Sequence, residues 1–195
     1  MKKVWIGVVF ILCVGLVCGG FYYVKNYMRS GDEGAELTEV QKLINRDLTK
    51  QYPNTPREVV KFYNRIILAY YADDLSDDEF EALADQALLL FDTDLAEENP
   101  KDSYMNSVRA DVEDYKARRR SITKANVCDT KDVVYRNDPN NGDEIAYVPA
   151  SYFVKLDSSY DKTYQQYVLR RDANGDWKIL TYYQIAAAET EDEDD

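Results

Sequence analysis

From Val4 to Val24 the chain runs 21 residues without a charge, between Lys2-Lys3 on one side and Lys25 and Arg29 on the other. At about 1.5 Å per residue, a helix of that length covers the roughly 30 Å of a bilayer's hydrocarbon. A cleavable signal peptide has a shorter apolar core, about 7–15 residues, and ends in small residues. Here the run ends Gly19-Gly20-Phe21-Tyr22-Tyr23 instead. Trp5 and the two tyrosines suit membrane interfaces. Cys13 and Cys18 read as small apolar residues of the span. Lipid attachment at Cys18 would need Leu and a small residue where Gly15 and Val17 stand. The run therefore predicts a signal anchor over residues 1–29, with membrane contact through Val4–Val24. All four charges before Ser30 are basic, so the rest of the chain stands at −16 against −12 for the whole. That asymmetry predicts a single-pass protein of the cell membrane, with the N-terminus inside and the acidic remainder outside.

Composition removes several function classes. With 36 acidic and 24 basic residues, the chain is ill-suited to general nucleic-acid binding. The absence of histidine excludes Ser-His-Asp and Cys-His catalysis and histidine-ligated metals within this chain. Cys128 is the only cysteine beyond the span, so no intramolecular disulfide is expected there.

Ser30-Gly31-Asp32-Glu33-Gly34-Ala35-Glu36 reads as a linker. Residues 30–54 hold this linker and a first helix, on which Leu37, Val40, Leu43, Ile44 and Leu48 recur at helical spacing. The folded domain is placed over residues 55–186. Thr55-Pro56-Arg57-Glu58 is a capping box opening a helix that is apolar around most of its circumference, through Val59, Val60, Phe62, Tyr63, Ile66, Ile67 and Tyr70. Ser76-Asp77-Asp78-Glu79 opens the next helix, Phe80 to Phe91, and Asn99-Pro100-Lys101-Asp102 opens another that ends near Arg118-Arg119-Arg120. The period then changes to alternation, with strands predicted at 121–128, 132–136, 144–156, 163–171 and 177–185. The loops around Asn141-Gly142 and Asn174-Gly175 have hairpin length. The expected class is α+β: a transmembrane helix, then three to four helices packed on a curved antiparallel sheet. Residues 187–195 form an acidic tail, expected to be disordered.

Asp172-x-Asn174-x-Asp176 imitates the start of a calcium loop, but its twelfth position is Tyr183, where a bidentate Glu is required. It reads as a solvated hairpin, and no metal or other cofactor is expected. Arg118-Arg119-Arg120 reads as a solvated helix end. Asp85 and Asp111 flank apolar stripes without a spacing-linked partner, and Cys128 has no nameable activating base, so no catalytic residue is assigned. Seventeen tyrosines are the most unusual feature. An apolar body with a polar tip can line a partly wet concavity, although aromatics also simply suit strands. Regular alternation puts Trp177, Ile179, Thr181 and Tyr183 on one face of the last strand. The preceding strand offers either Tyr164, Gln166 and Val168 or Tyr167 and Leu169.

The run Asp172-Ala173-Asn174-Gly175-Asp176-Trp177-Lys178-Ile179, opening the last strand, resembles the end of the nuclear-transport-factor-two-like (cystatin-like) superfamily. Thr55-Pro56-Arg57-Glu58-Val59-Val60-Lys61-Phe62-Tyr63 resembles that superfamily's opening helix. The resemblance covers about Thr55 to Ile185, although an early strand pair between helices is not evident. It implies a cone-like domain whose curved sheet wraps a long helix around a pocket. Candidate pocket residues are Tyr63, Tyr70, Tyr152, Tyr164, Tyr167, Trp177, Ile179 and Tyr183. The layout also resembles bitopic proteins of Gram-positive bacteria that lack an assigned function. The function expected is an anchored, extracytoplasmic, non-catalytic domain that binds a protein partner or a small ligand. An assembly scaffold of a secretion or conjugation complex is the alternative, and an isomerase- or dehydratase-like pocket enzyme the second.

Overall fold

A computed structural model describes residues 37–71 and 75–186. Helix α1 (Glu39–Ile44) is short and buries Leu43 against the helices that follow. Its end is met from a distance: the Gln86 side chain donates to the carbonyl of Ile44, the last helical residue, and to that of Arg46 just beyond, both at 3.1 Å. Such capping matters because the last carbonyls of a helix have no partner within it.

Helix α2 (Pro56–Tyr70) starts where Thr55, in extended conformation, accepts from the Glu58 amide at 3.2 Å. Pro56 fills the first helical position, where a missing N–H costs nothing. The Glu58 carboxylate reaches the Asn54 amide rather than that of Thr55, so the expected box is only half formed. Nine side chains of α2 are buried, which makes it the central helix. Helix α3 (Asp77–Leu88) has the full reciprocal box between Ser76 and Glu79. A six-residue helix, α4 (Thr93–Glu98), follows under an Asp92 cap, and α5 (Lys101–Ala117) packs on α3 and on the sheet.

The sheet comprises β1 (Arg120–Val127), β2 (Val134–Asn137), β3 (Glu144–Leu156), β4 (Ser159–Arg171) and β5 (Trp177–Ile185). Its order is β1-β3-β4-β5, with β2 beside the first residues of β3, and every pair is antiparallel. The inner face of β3 is Ala146, Val148, Ala150, Tyr152 and Val154, all buried. The two alanines are small enough to let a helix approach closely. Register carries that face to Leu169, Tyr167, Gln165 and Thr163 on β4. Bulges at Ile122/Lys124 and Val168/Leu169 interrupt the ladders, and such insertions bend a strand and increase its twist.

Between α3 and α4 the chain touches the far edge of the sheet. Phe91 forms a parallel bridge with Ile179: the Asp92 amide donates to the Ile179 carbonyl and the Ile179 amide to the Leu90 carbonyl, each at 2.8 Å. This single bridge is the only strand-like pairing between the helices among the described residues.

The architecture corrects part of the expected fold. Five helices, not three to four, precede the sheet among the described residues, because α4 is too short to produce a periodic signal. No helix of the described residues is long and apolar enough to cross a membrane. That finding overturns the fold with a transmembrane helix, the single-pass signal anchor and the cell-membrane placement derived from it. The stretch Val4–Val24, the linker at Ser30–Glu36 and the tail over residues 187–195 lie outside the described residues.

Candidate functional site

Helix α2 contributes Tyr63, Ile67 and Tyr70 to one wall of a cavity of about 250 Å³, with Tyr71 just beyond its end. Helix α5 contributes Tyr104, Val108, Asp111 and Tyr115, which fall on one helical face at steps of four, three and four residues. The sheet closes the cavity with Ile122, Tyr152, Thr163, Gln165, Tyr167 and Tyr182. The rings pack edge to face or tilted. Tyr63 and Tyr167 lie 6.0 Å apart at 76°, Tyr167 and Tyr182 5.5 Å apart, and Tyr71 and Tyr115 5.1 Å apart. These separations are those of favourable aromatic pairs.

At the base, the Asn64 side-chain oxygen accepts from the Tyr152 hydroxyl and, at 3.2 Å, from the Tyr167 hydroxyl, and the two phenols also touch each other. Three contacts thus share two hydroxyl protons. The Asn64 side chain is 3% exposed, and no protein group accepts from its Nδ2. Turning the amide over would give each phenol oxygen an N–H and leave the carbonyl oxygen facing the same empty direction. In either orientation one amide group lacks a protein partner.

Two further polar atoms are orphaned. Tyr70 is 2% and Tyr104 4% exposed, yet no protein group hydrogen-bonds to either hydroxyl. Tyr104 lies close enough to Tyr63 and Tyr70 to perturb their ionisation without reaching hydrogen-bond geometry. Burial pushes the phenols of Tyr63, Tyr70, Tyr152 and Tyr167 well above the ordinary tyrosine range. Tyr104 is pushed up to about 12 by the same burial, held back by its contacts with Tyr63 and Tyr70. All of these phenols are therefore neutral near pH 7.

Of the expected pocket residues, Tyr63, Tyr70, Tyr152 and Tyr167 come together at the cavity. Trp177 and Ile179 are core residues: Ile179 is fully buried, and Trp177 packs edge-on against Tyr135 at 5.7 Å. Tyr164 lies on the opposite sheet face, opposite Ser151 and beneath the Lys162 ammonium at 4.7 Å. Tyr183 lies on that face as well, 50% exposed and opposite Gln166. The bulge explains the difference. Leu169 faces Ile179 but Val168 faces Thr181, so Leu180 is an extra residue and the alternation shifts by one. The inward place expected for Tyr183 falls to Tyr182 instead. Tyr104, Val108 and Tyr115 are legible as part of a helical stripe with Val112, whereas Asp111 reads as a flanking surface residue and Tyr71 and Asn64 carry no periodic signal of their own.

Other reactive groups are quiet. Burial and the nearby Asp132 push the Cys128 thiol up to about 11, outweighing the opposing pull of Arg57. Arg57 Nε donates instead to the Cys128 carbonyl at 2.5 Å. The Asp172 carboxylate accepts from the Asn174 and Asp176 amides of its own turn, both at 2.9 Å. Among the described residues no cluster of acidic or sulfur ligands could hold a metal ion. A larger groove, about 420 Å³, lies between Tyr52, Leu89 and Lys178. It is open, and Lys178 already donates to the Leu89 carbonyl at 2.9 Å and lies 3.9 Å from the Tyr52 ring centre.

A family model described as a domain of unknown function (DUF6715) matches residues 1–182. No curated protein matches the chain.

Proposed function

We propose that this chain, which belongs to the DUF6715 family, is a non-catalytic binding domain that takes a small ligand into the tyrosine-lined cavity. One observation carries the reading: the Tyr70 and Tyr104 side chains line the cavity while their buried hydroxyls make no hydrogen bond to protein. Leaving a buried hydroxyl unpaired costs about 1–3 kcal/mol, a cost that a ligand able to pair with it would remove. The character of the wall argues against acid–base work. Its phenols are held neutral by burial, and its one carboxylate, Asp111, is exposed. The buried carboxylate of the domain, Asp92, pairs with Arg170 rather than with a tyrosine. The likeness to the nuclear-transport-factor-two-like superfamily belongs to the same proposal, supported by a long helix packed against the inner face of a bulged antiparallel sheet.

The test is a fragment screen by NMR on the full chain carrying ¹³C-labelled tyrosines. Hits should shift Tyr70, Tyr104 and Tyr182 together. Hits that scatter over the surface and leave these three unmoved would sink the reading.

A further inference from the structure

The cavity has a sign as well as a shape. Eight tyrosine rings contribute to its wall, and the face of each ring carries negative potential. Asp111 is the one carboxylate among the lining residues, and no Lys or Arg lines the cavity among the described residues. An anion entering here would lose its water with no countercharge to replace it. A neutral ligand would satisfy the hydroxyls but leave the ring faces and Asp111 unused. A cation uses both, because ring faces attract positive charge and a carboxylate at the rim adds to that attraction. The orphaned hydroxyls refine the choice. Their oxygens can accept from N–H groups, which a protonated amine has and a fully alkylated nitrogen lacks.

We propose that the ligand is a small organic cation, a protonated alkyl- or arylalkylamine. Its N–H groups bond the Tyr70 and Tyr104 hydroxyls, and the surrounding tyrosine faces hold its charge. The inference rests on the binding reading above and adds the ligand's charge and hydrogen-bonding character.

The experiment titrates the ¹³C-tyrosine-labelled full chain with four probes of similar size: benzylammonium, benzyltrimethylammonium, benzyl alcohol and benzoate. Benzylammonium should bind at least about tenfold more tightly than the alcohol or the benzoate. Tyr104→Phe should weaken benzylammonium by about three- to tenfold and leave its preference over benzoate, since one accepting oxygen is lost while the rings and Asp111 remain; unchanged benzylammonium affinity would overturn the Tyr104 assignment. That variant deletes only an unpartnered hydroxyl, so its fold is retained. Alcohol or benzoate binding as tightly as benzylammonium would overturn the cation assignment and leave the binding reading standing. Benzyltrimethylammonium binding equally well would overturn the N–H assignment. Failure of all four probes to shift any cavity tyrosine would overturn this inference and the binding reading together.

Discussion

Tyr70 and Tyr104 bring a polar atom into the core and give it nothing to bond. Removing such an atom differs from removing a packed group, because no hydrogen bond is lost and a desolvation cost disappears. Tyr104→Phe should therefore leave thermal stability unchanged or raise it by up to about 1 kcal/mol, read as the midpoint of a melting curve. Tyr152→Phe breaks the bonded cluster at Asn64 and should lower stability by about 1–2 kcal/mol. The opposite signs of two chemically identical substitutions separate a site from a core. Cys128 gives a second residue-scale test. Its folded pKa, about 11, lies above the ordinary value of 9.0. The protonated thiol thus adds stability that is intact below pH 9 and is lost as pH rises through about 11. At pH 8, alkylation of Cys128, followed by peptide mass spectrometry, should run about 100-fold slower than that of an unperturbed thiol.

At the scale of elements, the legible and the illegible separate cleanly at β5. Strand bounds at Glu144–Leu156 and Trp177–Ile185 follow directly from alternation and turn residues. The facing of Tyr182 does not, because one inserted residue, Leu180, reverses the parity of everything after it. Nothing in the local composition marks a bulge that the register of a neighbouring strand decides. Tyr182→Ala should abolish ligand-induced shifts at Tyr70 and Tyr104 and lower stability by about 1–2 kcal/mol, since its ring packs on Tyr63 and Tyr167. Tyr183→Ala, on the opposite face, should alter stability by no more than about 0.5 kcal/mol and leave binding intact. The reverse result would mean that the strand is regular. The hairpin at Asp157 is equally illegible, since the sequence there lacks the glycine that a left-handed turn position favours. Asp157 itself takes φ 47°.

Across the whole molecule, the helical half and the strand half are tied by one guanidinium. Arg170 Nε donates to Asp92 at 3.0 Å, and Nη2 bonds both Asp92 and Asp94, the latter at 2.9 Å; Asp143 of the β2–β3 loop lies 3.6 Å from Nη1. Asp92 is buried, so Arg170→Met strands a carboxylate and should cost about 3 kcal/mol in a denaturant titration. This tie could not be read from sequence, where Asp92 and Arg170 are 78 positions apart and belong to patterns of different period. The overall α+β division was readable because a change from helical to alternating period is a property of the chain alone. The Phe91–Ile179 bridge also joins those halves, and it does so at β5, the last strand among the described residues. Before Ile179 has been synthesised, Phe91 lacks its bridge partner and Tyr63 lacks Tyr182, a ring it packs against. Completion of this core therefore waits on a strand that follows, in the order of synthesis, every helix it packs against.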